Sequence, residues 1–267
     1  MRRPVRRTLA AGVVAGLLAL GAAPAAVEPS GIRVAAASDL QTVLPVIAER
    51  FQRSTGRHVG VTYGSSGNFF SQIQNGAPFD VFLSADIEYP RRLEAAGVAE
   101  PGSIVTYGFG RIVVWSRRGG LVDLQRGLEA LTDARIRRIA IANPEHAPYG
   151  RAAVAALRHE GLYDRVRSKL VLGENVSQAA QFVDSGNAEA GIIALSLALA
   201  PTLKPEGTYY EIPLTFYPPI EQGAVIVKAS ANKAGGRAFL EFLGLPDSLR
   251  LMQSFGFAMP APDGRAP

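Results

Sequence analysis

Tyr63-Gly64-Ser65-Ser66-Gly67-Asn68, continuing as FFSQIQNGAPFDVFLSAD to Asp86, is the stretch whose reading decides the fold. A β-rich run from His58 to Tyr63 ends in small hydroxyl-bearing and glycine residues, and a helical pattern over 68–75 opens at once. A compact apolar strand over 79–84 follows, then a second helical pattern over 87–96 that Gly97 stops. Strand alternating with helix is the pattern of a parallel sheet covered on both faces. Where such a helix begins, its first N–H groups lack partners and the positive end of its dipole faces outward. Ser66 and Gly67 therefore stand at a place suited to anions.

The same alternation continues on either side of that block. Upstream, GIRVAAAS at 31–38 forms a short apolar strand. Leu40, Val43, Leu44, Ile47 and Phe51 then recur at helical spacing until Gly56 ends the run. Pro45 lies inside that pattern, where it kinks a helix or delays its regular start. Downstream, 107–115 is a long apolar strand weakened by Gly108 and Gly110, which we read as a crossing between two domains. Strands at 138–142, 169–172, 190–194 and 209–213 follow, with helices after Gly150 and at 177–185. A strong strand at 223–228 returns, and helices at 233–243 and 247–254 close the chain. The expected fold class is α/β, with one lobe of residues 31–109 and 225–267 and a second of 110–224 inserted into it through two crossing strands. Ligands of such two-lobed proteins bind in the crevice at the carboxyl ends of the strands.

Arg2, Arg3, Arg6 and Arg7 precede an apolar run from Leu9 to Leu20, and Ala23-Pro24-Ala25 supplies an A-x-A cleavage motif. Residues 1–25 thus read as a secretory signal peptide, with an apolar core too short to span a bilayer. Cleavage is expected after Ala25, and the mature product in a periplasm. The formal net charge of +5 over 267 residues falls to about +1 without those four arginines. No basic stripe remains to suggest nucleic acid. The chain has no cysteine, which excludes a disulfide framework, thiol redox chemistry, a thiolate metal site and a lipid-modified N-terminal cysteine. His58, His146 and His159 lack metal-ligand spacing, so His146 is read as a structural loop residue.

Three further strand-to-helix junctions match the one at Ser66. Ser38 follows the first strand with Asp39 just inside the next helix, where that carboxylate is expected to face the dipole and solvent. In the second lobe, Pro144-Glu145-His146-Ala147-Pro148-Tyr149-Gly150 leads from a strand into a helix, and Glu174-Asn175-Val176-Ser177 leads into another. Each helix end is equivalent to about half a positive charge, so four facing one cleft would roughly offset a dianion. Arg151 is the only cation in these loops. A phosphate ester or nucleotide more often enlists lysine or arginine, whereas a small enclosed tetrahedral dianion can be held by N–H and O–H groups alone. A lone serine at such a junction is an N-cap. Four junctions in matching contexts give Ser38 and Ser66 a ligand reading.

ASDL at 37–40, YGSSGNFFSQIQNGAPFDVFLSAD at 63–86, NPEHAPYG at 143–150 and ENVSQAAQFV at 174–183 together resemble the periplasmic molybdate-binding proteins, substrate-binding components of molybdate ABC transporters. The resemblance covers essentially the whole chain after the signal peptide. It implies the type II periplasmic-binding-protein fold, with the ligand cleft between two α/β lobes. It further implies that oxyanion oxygens are held by hydroxyls and backbone amides at Ser38, Ser66, Tyr149 and Val176, with Val176 acting through its N–H. Molybdenum would be bound only as the oxyanion, with no direct protein–metal ligands. Some members place a ligand-binding tyrosine where this chain has Ala194. Others carry one in the PEHAP loop, and Tyr149 puts this chain with them, acting through its hydroxyl or its N–H.

The expected function is capture of molybdate, and of tungstate, by lobe closure, then delivery to an ABC permease in the inner membrane. No catalysis, cofactor or nucleic-acid partner is expected, and the chain is expected to act as a monomer. Sulfate, phosphate or an organic acid is the alternative ligand within the same fold, and an organic acid would recruit Arg151 into the cleft. An exported serine hydrolase using Ser66 is the remaining alternative. Gly64-Ser65-Ser66-Gly67 lacks the spacing of a G-x-S-x-G elbow, however, and no convincing His/Asp set accompanies it. Trp115, the single tryptophan, would report closure if it lies near the hinge.

Overall fold

The computed structural model describes residues 31–260; the signal-peptide reading at 1–25 and residues 261–267 of the first lobe lie outside the described residues. The first lobe opens with β1 (Gly31–Ala37), a 3₁₀ turn (Ser38–Leu40), α1 (Leu44–Thr55), β2 (His58–Gly64) and α2 (Ser66–Gln74). It continues with β3 (Val81–Ser84), α3 (Glu88–Ala95) and β4 (Val105–Gly110). The second lobe holds β5 (Ile112–Arg117), β6 (Ile139–Ala142), α4 (Pro148–His159), α5 (Tyr163–Val166), β7 (Leu170–Gly173) and α6 (Val176–Asp184). Its last elements are β8 (Ala190–Ala194), α7 (Leu195–Ala198) and β9 (Gly207–Glu211), after which β10 (Ile220–Ile226), α8 (Lys233–Leu243) and α9 (Pro246–Ser254) return to the first lobe.

The two five-stranded sheets run β2-β1-β3-β10-β4 and β7-β6-β8-β5-β9. β1 is parallel to β2 and β3, and β6 is parallel to β7 and β8. One strand in each sheet runs the other way: β10 is antiparallel to β3 and β4, and β5 to β8 and β9. Each sheet is therefore mixed rather than wholly parallel, because apolar patterning fixes a strand's burial and not its direction.

The apolar run over 107–115 is two strands in two sheets, with Arg111 between the end of β4 and the start of β5. The return crossing lies between β9 and β10. Since β10 pairs within the first sheet from Ile220 to Ile226, the sequence-based lobe boundary at 224/225 falls inside that strand. The fold class is α/β, as the sequence implied.

Both faces of each sheet are covered. In the first lobe Ile32, Leu44, Phe51 and Phe239 pack in one cluster, and Phe69, Phe70, Phe82 and Leu93 in another. In the second, Trp115, Ile139, Ile141, Leu157 and Val183 form the core. Trp115 is thus wholly enclosed in the second lobe's interior and not in the cleft.

Pro45 falls in the first turn of α1, where its missing N–H is not needed, so it delays the helix rather than kinking it. The consequence reaches Ser38. The first junction opens into a three-residue 3₁₀ turn, not an α-helix, so it supplies hydroxyl and backbone groups but no helix macrodipole of note.

Candidate functional site

The carboxyl ends of β1, β2, β6 and β7 meet across the gap between the lobes. Ser38, Ser66, Tyr149 and Val176, the residues named from the sequence, all line one small cavity there, together with Gly64, Ala147 and Asn175. Its volume is only about 10 Å³, and no residue lining it is charged. A space that small lies far below the range for drug-sized molecules.

The hydrogen bonds around it orient the donors. Ser66 Oγ accepts the Ala85 N–H at 2.9 Å, and Ser38 Oγ accepts the Ser177 N–H at 3.4 Å. With those oxygens engaged as acceptors, each hydroxyl keeps its proton to donate. The N–H groups of Ser66, Tyr149 and Val176 have no partner among the described residues, as first-turn donors of α2, α4 and α6. Asn175 caps α6, its side chain accepting from Ser177 and Gln178 N–H at 3.1 and 3.0 Å. That leaves Val176 N–H, one position earlier, free for a ligand. The cavity is a ring of neutral donors whose nearby acceptors are already occupied.

Contacts across the gap describe a closed arrangement. Gly67 N–H donates to His146 O at 2.9 Å, and Ser65 Oγ donates to the same oxygen at 2.7 Å. Thr42 Oγ1 donates to Ser196 O, Ser196 Oγ donates to Asp39 O, and Asn68 Nδ2 donates to Glu174. His146 Nδ1 is 2.9 Å from Ser65 Oγ, so the histidine serves lobe contact. Its loop role is more specific than the sequence suggested. Among the described residues no group of His, Cys, Asp and Glu could hold a metal ion.

Asp39 differs most from expectation. It is fully buried, not turned toward solvent. Its Oδ2 accepts from Tyr149 Oη at 2.9 Å and from Gln222 Nε2 at 2.7 Å, and Gln222 Nε2 lies 3.0 Å from Tyr149 Oη. The short 3₁₀ turn is the reason: it swings Asp39 inward under the cavity instead of placing it on an exposed first helical turn. Burial pushes its carboxyl from 3.8 up to about 6, a rise that the bonds from Gln222 and Tyr149 only partly offset. Burial and the Asp39 charge hold the Tyr149 hydroxyl well above 10, so it remains a donor. The hydroxyl is committed to Asp39, which leaves the N–H as the group Tyr149 can offer a ligand. Gln222 escaped the sequence reading, although a glutamine inside the apolar run IEQGAVIV was the available signal.

Arg151 stays out of the cavity. Its guanidinium pairs with Asp86 of the opposite lobe at 2.5 Å and lies 3.3 Å from Tyr89 Oη. Ser66 has Ala85 N–H as its hydrogen-bond partner and no histidine, while the Ser65 proton goes to a carbonyl rather than to a ring nitrogen. Neither serine is arranged as an activated nucleophile.

Residues 32–258 match the family model for bacterial extracellular solute-binding proteins. The molybdate-binding protein ModA of Azotobacter vinelandii is 39% identical over 245 residues, 92% of this chain and 94% of that protein. ModA of Rhodobacter capsulatus is 38% identical over 252 residues, covering 94% of this chain and 97% of its own length. The solved structure of the Azotobacter vinelandii periplasmic molybdate-binding protein superposes with a TM-score of 0.81 at 37% identity, over 86% of this chain and all of that one. These relatives are named for binding molybdate. With two lobes of that fold closed on one small cavity of neutral donors, the chain belongs to the family of bacterial extracellular solute-binding proteins.

Proposed function

We propose that this protein captures molybdate, and tungstate as well, in the periplasm and hands it to an ABC permease in the inner membrane. The single observation that carries the reading is the convergence of Ser38, Ser66, Tyr149 and Val176 on one uncharged cavity between the lobes. The likeness to molybdate-binding proteins over nearly the whole chain supports it. Ser38 and Ser66 donate through hydroxyls, Tyr149 and Val176 through N–H groups, and the α2, α4 and α6 dipoles add positive potential. The oxyanion's oxygens, not the metal, meet the protein.

Phosphate is disfavoured because its remaining proton needs an acceptor, and the acceptors beside the cavity already hold N–H groups. Sulfate presents the same four oxygens in a smaller body, so cavity size separates it from molybdate. An organic acid is disfavoured by the pairing of Arg151 with Asp86. Export with cleavage after Ala25, and action as a monomer, complete the proposal. Among the described residues no helix is long and apolar enough to cross a membrane.

A thermal-shift panel of molybdate, tungstate, sulfate and phosphate tests it. Ligand at 100 times its dissociation constant adds about 2.7 kcal/mol, hence roughly 5–10 °C for a chain of this size. Equal shifts with sulfate and molybdate would remove the selectivity; no shift with either would remove the function.

A further inference from the structure

Asp39 and Gln222 are fully buried, and Tyr149, 3% exposed, links them to the cavity it lines. The cluster spans the cleft: Asp39 and Gln222 belong to the first lobe and Tyr149 to the second. It is also short of donors. The Tyr149 proton and Gln222 Nε2 serve Asp39 Oδ2, while Asp39 Oδ1 and Gln222 Oε1 are buried with no hydrogen-bond partner among the described residues. Native interiors rarely leave such oxygens unmatched. A Cβ at Gly110, the last residue of β4, would stand 2.3 Å from Tyr149 Oη and 2.9 Å from Gln222 Nε2, so a glycine is what lets the three side chains meet.

Among the described residues no cation compensates the carboxylate. The groups acting on Asp39 from the packed elements are Tyr149 on α4, Gln222 on β10 and Tyr107 on β4, whose hydroxyl donates to Ser84 O. Tyr217 acts on Tyr149, and Arg111, which acts on Tyr217, is paired with Glu211 at 2.6 Å.

We propose that Asp39 takes up one proton from solvent as the lobes close on an anion, a positioning residue that couples capture to protonation without touching the ligand. The proposal rests on the anion-capture reading above. The added proton sits on the carboxyl and supplies the donor that the cluster lacks. Opening separates Asp39 from Tyr149 and returns the carboxyl to water, where it ionises at its ordinary value of about 3.9. Closure excludes that water, and a dianion in the adjacent cavity repels the carboxylate further. Both effects favour the protonated form, in the direction of the raised closed-state value of about 6. The partly satisfied carboxyl still holds the Tyr149 hydroxyl, and with it the position of the Tyr149 N–H.

Calorimetric titration with micromolar sodium molybdate, at pH 6 in two buffers of different ionisation heat, counts the protons. Uptake of about half a proton or more per anion is expected at pH 6, falling toward zero by pH 8. The affinity should rise about tenfold from pH 7 to pH 5. Asp39→Asn should still bind and should lose both the uptake and the pH dependence. Tyr149→Phe, which keeps the carboxyl and removes a donor that lowers its pKa, should extend uptake to higher pH. Binding with no uptake at pH 6, or uptake unchanged in Asp39→Asn, overturns the coupling; should that variant fail to fold, the wild-type uptake curve and Tyr149→Phe still decide. Absence of molybdate binding at any pH overturns instead the capture reading on which it rests.

Discussion

Ser38 and Ser66 do their work by accepting before they donate. Each oxygen takes a backbone N–H, Ser177 in one case and Ala85 in the other, and that bond leaves the hydroxyl proton for the cavity. The arrangement distinguishes a ligand serine from a capping serine, whose oxygen would face the N–H groups of its own helix. Ser66→Ala leaves the buried Ala85 N–H without its acceptor and should cost about 1–3 kcal/mol of stability. It should weaken molybdate binding by about 10- to 150-fold, since a hydrogen bond to a charged group contributes about 1.5–3 kcal/mol. Calorimetric titration reads the change, and wild-type affinity in the variant would mean the anion sits elsewhere. Ser65, next door, lines the same cavity, but its proton goes to His146 O across the cleft. Two adjacent serines of identical sequence character thus differ: the Ser66 proton is left for the cavity and the Ser65 proton goes to the opposite lobe.

At the scale of elements, three contacts on one buried carboxylate help decide where β1 meets its neighbours. Asp80, 1% exposed, accepts from Arg33 N–H at 2.7 Å and from Ser230 Oγ at 2.8 Å, with the Arg33 guanidinium beside it. Burial raises its carboxyl, but the Arg33 and Ser230 bonds outweigh that and leave it below the ordinary value. A depressed native value contributes stability above the unfolded pKa, and this contribution is lost as pH falls through the native one. Asp80→Asn should then cost about 1–3 kcal/mol at pH 7. Melting curves should show the gap to wild type closing as pH falls below the ordinary carboxylate range; a gap independent of pH would mean the charge is irrelevant. Asp80 also illustrates what sequence could carry. The strand–helix alternation around 58–96 was legible because burial imposes period and caps impose stops. Ser38 and Ser66 stood out because each follows the end of a strand, whereas Tyr149 and Val176 were named through the family resemblance; all four line the one cavity. Strand direction was not, since β10 reads identically parallel or antiparallel. Nor was the inward turn of Asp39, which depends on the 3₁₀ geometry that Pro45 forces by delaying α1. The Asp39–Tyr149–Gln222 cluster joins residues 110 and 183 positions from one another's partners, a distance no local pattern spans.

For the whole molecule, capture means closing one lobe on the other, and Gly67 marks how tightly they meet. A Cβ there would stand 2.6 Å from His146 O and 2.8 Å from Tyr89 Oη. Gly67→Ala suits the α2 helix in isolation but wedges the cleft at His146 and crowds Tyr89 within its own lobe, so ligand-free melting should fall slightly. Molybdate affinity should fall at least about tenfold, the effect of about 1.4 kcal/mol. Small-angle scattering should show no contraction on adding molybdate, whereas wild type contracts; contraction in the variant would sink the wedge. Scattering suits the question better than emission from Trp115, which is enclosed in one lobe's core. The crossing pattern has a kinetic consequence as well. The strands of the second lobe, from Ile112 to Glu211, are contiguous and can complete their sheet alone, but β10 lies between β3 and β4. Until Ile220–Ile226 is delivered, the first lobe holds two bare strand edges, the form of exposure that invites aggregation. The lobe that begins first along the chain is therefore the one that must finish folding last.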